Sequence, residues 1–353
     1  MKIKIYGCGS IGNHMAHAAR RLGWGVAMVD LDLQAMVRTQ KEIYPARYGR
    51  WDPAIQLFLK GTEPRNGFDL IHIGTPPLSH VPLALECLRE KPRGILIEKP
   101  LCEPAMRELS KLAKLTLKTR TKIFVGYDHV VGRAAQFCGS LLKKGYLGHL
   151  ESLDVEFREF WGGIFYAHPW LRGPQDSYLG FWKKGGGAGG EHSHALNLWQ
   201  FFARCGGMGK ITTVSALLQR QRTRLWDYDA IFSLQLRTSK GLMGRVIQDV
   251  VTRPAKKWAR IQGSKGFLEW HCGAVSGGGD KVIFGKNGRD PSQLEFSKTR
   301  PDDFILELQH LRRALQAKPF DSPIRLERGI ETMKVIQAAY GSARSGKVAR
   351  LTA

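Results

Sequence analysis

The sequence predicts an α/β chain of two parts. The first is an N-terminal doubly wound parallel sheet; the second is an α+β domain with a largely antiparallel open sheet. Three observations predict it. Over residues 1–125 short apolar runs alternate with amphipathic helical segments, the pattern of a parallel sheet covered on both faces. Later, Leu153-Asp154-Val155-Glu156-Phe157-Arg158 exchanges apolar and charged residues at period two, as in a sheet with one wet face. The length of 353 residues is too great for one ordinary domain and suits two.

In the first part, residues 1–125, the expected strands are Lys2–Tyr6, Gly25–Val29, Leu70–Ile73, Ile95–Ile97 and Lys122–Val125. Helices are expected between them at Gly12–Leu22, Leu33–Ile43, Ser79–Glu90 and Pro104–Leu117. The character changes in the second part, residues 126–353. A helix near Gly132–Lys144 leads into the alternating run, then strands at Thr212–Gln219, Ala230–Arg237, Leu242–Val250, Trp258–Gln262 and Phe267–Trp270. Two helices, Asp303–Ala314 and Arg325–Tyr340, close the chain, with room for the last to pack back on the first part.

Composition narrows the function classes. With 43% hydrophobic and 24% charged residues the chain has the makings of an ordinary globular core. No apolar run reaches the length of a membrane span. The start, Met1-Lys2-Ile3-Lys4-Ile5-Tyr6-Gly7, lacks the layout of a signal peptide, and a cytoplasmic protein is expected. Six cysteines are scattered without a metal-binding spacing and read as reduced thiols. The net charge is +23, yet the basic pairs (Arg20-Arg21, Lys143-Lys144, Lys183-Lys184, Lys256-Lys257) are dispersed. This disfavours a nucleic-acid partner and favours a basic surface that attracts anionic small molecules.

Gly7-Cys8-Gly9-Ser10-Ile11-Gly12 is GxGxxG, placed directly after a strand and opening a helix. The first glycine permits a tight turn, the second lets the backbone approach a pyrophosphate, and the third lets helix and strand pack closely. Ser10 and Ile11 lead into the helix whose N-terminus offers free N–H groups to phosphates. This is the fingerprint of a Rossmann dinucleotide fold. The next strand ends at Asp30, 18 residues beyond Gly12, where a carboxylate hydrogen-bonds ribose hydroxyls and repels a 2′-phosphate. NAD is therefore favoured over NADP. A helix N-cap is the other reading of Asp30. Thr75 and Pro76 lie in the exit loop of the third strand, at the ligand-binding edge, and are read as lining the cofactor; His80 opens the following helix, where capping is its plainer role.

Gly94-Ile95-Leu96-Ile97-Glu98-Lys99-Pro100 ends a buried strand at the same edge. Pro100 keeps Lys99 out of the helical region. A lysine so fixed can polarise a carbonyl or exchange a proton with a hydroxyl, with Glu98 orienting it; an ion pair at a strand end is the plainer reading.

The ordered set of Gly7–Gly12, Asp30, Thr75-Pro76-Pro77-x-x-His80 and Glu98-Lys99-Pro100 resembles the Gfo/Idh/MocA family, the glucose–fructose oxidoreductase and inositol dehydrogenase group. Gly126-Tyr127, the glycine-rich turn before His194, and Ile261-Gln262-Gly263-Ser264-Lys265-Gly266 extend the resemblance over nearly the whole chain. It implies an N-terminal Rossmann domain, a C-terminal sheet that mediates homo-oligomers (a dimer or tetramer), a nicotinamide cofactor, and a catalytic role for Lys99. Cofactor contacts are assigned on this basis to Gly7, Gly9, Ser10, Ile11, Gly12, Asp30, Thr75, Pro76, His80, Glu98 and Lys99.

The densest polar cluster is Gly185-Gly186-Gly187-Ala188-Gly189-Gly190-Glu191-His192-Ser193-His194-Ala195-Leu196-Asn197. By register with the resemblance, His194 takes the place of the family histidine, and Asn197 that of a later Asp. An earlier family Asp falls on Gly190, so Glu191 or His192 is left to supply its task. His194 is the expected acid/base partner of Lys99, because an imidazole titrates near neutral pH. No metal is expected: on one helix His192 and His194 lie about 200° apart. Residues 157–182 are unusually aromatic, suiting a sugar ring or a domain core equally; Tyr166 and His168 are named there as substrate contacts, with His129 after the last Rossmann strand. The expected activity is NAD-dependent hydride transfer at a secondary hydroxyl or ketone of a sugar, cyclitol or nucleotide-sugar. The rival is a dinucleotide-binding sensor of the same fold without turnover.

Overall fold

The computed structural model describes residues 1–166, 168 and 170–351. The chain divides into two compact units. One comprises Met1–Cys102, Met106–Asp128 and Arg300–Gly329; the other comprises Glu103–Ala105, His129–Thr299 and Ile330–Ala353. A single cut at 125/126 is thus replaced by a chain that returns to its first unit near residue 300. The return has a backbone reason: the N–H of Val125 donates to the carbonyl of Ile324 at 2.8 Å, and Phe124 bridges Arg325 antiparallel.

The first unit holds a six-stranded sheet of β1 (Lys2–Tyr6), β2 (Gly25–Asp30), β3 (Ile55–Leu59), β4 (Leu70–Ile73), β5 (Gly94–Ile97) and β6 (Lys122–Val125). The order is β3-β2-β1-β4-β5-β6 and every pairing is parallel. Strands β4 and β5 are buried throughout; β5 is correspondingly apolar, and β4 is apolar but for His72. Helices α1 (Ser10–Arg21), α2 (Leu33–Arg38), α3 (Tyr44–Tyr48), α4 (Pro77–Cys87) and α5 (Leu109–Thr116) follow the strands. The helix expected from Pro104 begins only at Leu109, because Met106 and Glu108 hold φ of 55° and 53°, outside the right-handed helical region.

In the second unit α6 (Arg133–Lys143) leads to β7 (Leu150–Arg158) and then α7 (Gly162–Tyr166), α8 (Gly187–Glu191) and α9 (Ser193–Cys205). Strands β8 (Ile211–Arg222), β9 (Asp227–Thr238), β10 (Met243–Asp249), β11 (Lys256–Gly263), β12 (Gly266–Val275), β13 (Gly279–Lys286), β14 (Ser292–Phe296) and β15 (Ala349–Arg350) complete it. The nine-stranded sheet runs β14-β13-β12-β11-β7-β10-β9-β8-β15, with β7 and β10 parallel and the remaining pairings antiparallel. Leu153, Val155 and Phe157 turn to the helix-covered face, where Trp199 of α9 donates to the Leu153 carbonyl at 2.8 Å. The other face carries ion pairs, including Arg245–Asp154 at 3.1 Å and Lys256–Glu156 at 3.2 Å.

Helix α10 (Asp302–Gln316) lies in the first unit, with Phe304 stacked on His14 of α1 at 5.0 Å between ring centroids. Helix α11 (Leu326–Ser345) starts in the first unit and runs on into the second. Among the described residues no helix is long and apolar enough to cross a membrane.

Candidate functional site

The glycine loop turns exactly where β1 ends, and its three glycines differ in what surrounds them. Gly7 sits at φ 104°, and a Cβ there would lie 2.7 Å from the Gly74 carbonyl oxygen. Gly12 would drive a Cβ into the Gly7 carbonyl. Gly9 has nothing within 4 Å of where its Cβ would sit. The first and third glycines are therefore fixed by the protein's own packing, whereas the second leaves an open approach to the backbone at the N-terminus of α1. A pyrophosphate fits that cradle. Ser10, the first residue of α1, is held by Arg47 of α3, whose guanidinium donates to Ser10 O at 3.0 Å and Oγ at 2.8 Å. Ile11 follows, half-buried.

Asp30 closes β2 beside this loop. Its Oδ2 accepts from the N–H of Cys8 at 2.7 Å and its Oδ1 from the N–H of Asp32 at 2.9 Å. The helix cap is not Asp30 but Asp32, which accepts from the N–H of Gln34 at 2.8 Å and leaves Asp30 to face the loop. Burial first, and then the Asp30 charge, push the Cys8 thiol up, so it stays protonated.

At the ends of β4 and β5 the second half of this unit's edge is assembled. Thr75 is half-buried and Pro76 exposed. His80 is buried inside α4, with Nδ1 3.0 Å from the Pro100 carbonyl and Nε2 2.6 Å from the Thr75 carbonyl. It neither caps the helix nor turns a free ring nitrogen outward; it ties the exit loop of β4 to the turn after β5. Burial lowers its pKa, against the pull of the Thr75 carbonyl and the Glu98 charge. Glu98 is buried, with Oε1 3.1 Å from Nε2 of His72 and Oε2 accepting from the N–H of Lys99 at 3.3 Å. Lys99 itself is half-exposed, and its peptide to Pro100 is cis.

The second unit gathers an aromatic and imidazole cluster. His129 meets His194 edge to face at 4.8 Å and Phe157 at 5.1 Å, while Trp270 stands edge-on at 5.8 Å. Phe157 and Trp270 stack at 5.9 Å to make an apolar floor. Next to it, Glu159 is ion-paired to Lys257 at 2.7 Å. Burial alone would raise the Glu159 pKa, but Lys257 and then His192 outweigh it and hold the carboxyl below its usual range, with Glu191 opposing. Glu191, His192, Glu159 and Lys257 are thus electrostatic neighbours. His192 is the joint between α8 and α9, at φ −97° and ψ 23°.

Three further expected contacts have their own local partners or exposure. Asn197 is wholly buried and donates to Thr332 Oγ1 at 3.2 Å, so it fastens α9 to α11. Tyr166 is 91% exposed. His168 bonds the Ile164 carbonyl at 2.5 Å through Nδ1 and meets Trp170 edge-on. Gly190 explains its own departure from the family pattern: a Cβ there would strike the Gly185 carbonyl. The sequence reading missed Glu159 and Lys257. Continuing the period-two pattern of β7 past Arg158 reaches Glu159, but nothing local pairs it with a lysine on another strand.

Residues 136–269 match the family model of the GFO/IDH/MocA C-terminal domain. No curated protein matches the chain in sequence. Several solved structures share its fold. The WlbA dehydrogenase from Bordetella pertussis, in complex with NADH and UDP-GlcNAcA, is 19% identical, with a TM-score of 0.71 over 100% of this chain and 99% of that one. An NAD binding oxidoreductase from Klebsiella pneumoniae is 18% identical, with a TM-score of 0.79 and the same coverage of 100% and 99%. Levoglucosan dehydrogenase, in complex with NADH and levoglucosan, is 14% identical, with a TM-score of 0.77, covering 100% of this chain and 99% of that one. At these identities the likeness is one of fold.

Proposed function

We propose that this chain, whose residues 136–269 match the GFO/IDH/MocA C-terminal domain, is an NAD-dependent oxidoreductase of that group. Its substrate class is a sugar, cyclitol or nucleotide-sugar, reacting at a secondary hydroxyl or the corresponding ketone.

The observation that carries this reading is the asymmetry of the glycine loop. Gly9 alone has open space where a side chain would stand, at a helix N-terminus bordered by the Asp30 carboxylate. The free N–H groups of that first turn hold the pyrophosphate. Asp30 accepts from the adenosine ribose hydroxyls and repels a 2′-phosphate, which selects NAD over NADP. Thr75 and Pro76 line the way to the nicotinamide. When bound, NAD supplies the hydride acceptor or donor.

The remaining chemistry falls to this chain's own side chains. The Lys99 ammonium holds the reacting oxygen and favours negative charge on it. His194 takes or returns the hydroxyl proton, an imidazole being matched to that task near neutral pH. His129, Glu191 and His192 offer hydrogen-bonding groups to substrate hydroxyls, and the Phe157–Trp270 floor suits an apolar ring face. The sugars bound in the similar structures, UDP-GlcNAcA and levoglucosan, support the sugar class. The net charge of +23 favours an anionic member of it. Six cysteines, none in a disulfide, fit a reducing cytoplasm. The ion-paired open face of the large sheet is proposed as the homo-oligomer contact.

The test is Lys99→Met, with NADH binding followed by fluorescence and turnover followed on a panel of sugars, uronic acids and nucleotide-sugars. The reading expects NADH binding within about twofold of wild type and turnover reduced at least about a thousandfold. Wild-type protein that binds NADH, turns over nothing on the panel and shifts a partner equilibrium on binding would instead mark the sensor.

A further inference from the structure

Asp229 of β9 is wholly buried, far in sequence from any motif, and takes no part in the chemistry above. Its Oδ2 accepts from the N–H of Gly189 at 2.6 Å, and its Oδ1 accepts from the Tyr340 hydroxyl at 2.7 Å. The opposite side of the same turn is held by Gln248 of β10, also wholly buried. Its Nε2 donates to the Ala188 carbonyl at 2.9 Å and reaches the Gly189 carbonyl at 3.3 Å. Gly187 sits at φ 74°, and a Cβ there would collide with the Asp229 carboxylate. A Cβ on Gly189 would press on the Phe232 ring at 2.9 Å. The glycines of the turn are thus glycine because a carboxylate and a ring fill the space beside them.

From this turn the chain has one short helix, Gly187–Glu191, before the His192 joint and the start of α9. Any slip in the turn is passed to Glu191, His192 and His194 with no intervening loop to absorb it.

We propose that Asp229 is the positioning residue for His194: its carboxylate, seated between Gly189 and the Tyr340 hydroxyl, sets the register of the glycine turn and through it the direction of the imidazole. This rests on the acid–base role given to His194. Burial is the main cause that pushes the Asp229 carboxyl up to about 7, against the Gly189 and Tyr340 hydrogen bonds and Arg220. The groups that face it are Gly189 N–H from α8, Tyr340 from α11 and Arg220 from β8, while Asp227 of its own strand acts on the Tyr340 hydroxyl. A charged carboxylate can accept from both donors, whereas a neutral one must donate with one of its oxygens. The clamp therefore tightens as pH rises through neutrality, adding a limb to the pH profile that does not belong to His194.

The experiment follows the His194 imidazole by NMR titration, assigned through His194→Gln, in wild type, Asp229→Ala, Asp229→Asn and Tyr340→Phe. The kcat profile from pH 5.5 to 9 and the NADH Kd are measured alongside. The proposal expects Asp229→Ala to move the His194 titration and to lower kcat by about tenfold to a hundredfold, the cost of a misplaced catalytic group, with NADH Kd within about twofold. Asp229→Asn keeps an acceptor for Gly189; it restores most of kcat and loses the additional pH limb. If Asp229→Ala does not fold, Tyr340→Phe, which removes one of the two donors, carries the same expectation in smaller measure. A His194 titration and pH profile unchanged in the variants, with only thermal stability lowered, overturns the proposal. The acid–base reading fails separately, by His194→Gln retaining full turnover.

Discussion

Glu98 and His72 form a buried carboxylate–imidazole pair, Oε1 to Nε2 at 3.1 Å, one residue before Lys99. The pair spans adjacent strands, since Glu98 N–H also donates to the Ile73 carbonyl at 2.9 Å. Gly126 packs so tightly on the carboxylate that a Cβ would lie 2.9 Å from Oε2. With its remaining oxygen on the Lys99 N–H, Glu98 orients the backbone of the lysine and has no room to swing. His72→Leu would leave that carboxylate buried with one partner fewer. The expected loss is about 1–3 kcal/mol of stability, the cost of an unsatisfied buried acceptor. Urea denaturation checks it; a midpoint equal to wild type contradicts the pairing.

The glycine loop separates folding from binding in one experiment. Gly12→Ala forces a methyl into the Gly7 carbonyl and should lower the melting temperature by several degrees. Gly9→Ala meets no atom within 4 Å and should leave melting unchanged. Its methyl instead stands where the pyrophosphate must approach, so NADH affinity should fall about tenfold or more, about 1.4 kcal/mol. Thermal melts with and without NADH distinguish the two. Equal melting and equal affinity for Gly9→Ala would remove the open cradle as the basis for cofactor binding.

Much of this was legible in the sequence. Strands β1, β2, β4, β5 and β6 announced themselves because burial makes such strands predominantly apolar, even where Lys2 and Lys4 in β1, His72 in β4 and Lys122 in β6 interrupt the run. Strand β3 did not: it is an edge strand, with Gln56 and Leu59 exposed, so its pattern is broken. Strand β14 was hidden for a similar reason, being an edge strand and mostly exposed. In α9 nearly every residue is buried, so helical phase alone could not show that Asn197 turns inward to Thr332. The Asp229 clamp was invisible because its partners lie 40 and 111 residues away along the chain. Spacing motifs record contacts within a turn or a strand; contacts between elements leave no local period.

A second buried carboxyl in the first unit gives a pH prediction. Glu307 of α10 is wholly enclosed, and its Oε1 has no hydrogen-bond partner. Burial foremost, then the Glu98, Asp128 and Asp303 charges, push its pKa well above the usual carboxylate range. A folded pKa raised above the unfolded one means that its contribution to stability is full below the unfolded value and is lost as pH rises toward the folded one. Glu307→Gln, close in shape to the neutral acid, removes that dependence. The variant should match wild type near pH 4.5 and exceed it progressively as pH rises. Urea midpoints from pH 4.5 to 8.5 check it, and parallel curves for the two proteins would contradict a raised Glu307.

Gly190 stands where the family resemblance places an aspartate, and the backbone decides whether one can be restored. A Cβ at this position would run into the Gly185 carbonyl, inside the turn that Asp229 and Gln248 grip from both sides. Gly190→Asp should therefore break the turn rather than supply a carboxylate, lowering stability by about 1–3 kcal/mol and turnover with it. In the function proposed above, the task of that missing group is assigned one or two residues along, where Glu191 and His192 share the field of Glu159 and Lys257. Glu191→Gln should lower kcat by about tenfold while melting stays within a degree or two, because a half-buried side chain near a charged neighbour carries little packing. Steady-state kinetics beside thermal melts for both variants check the pair. A Gly190→Asp protein that melts like wild type would show that the turn yields, and would return the carboxylate's place to residue 190.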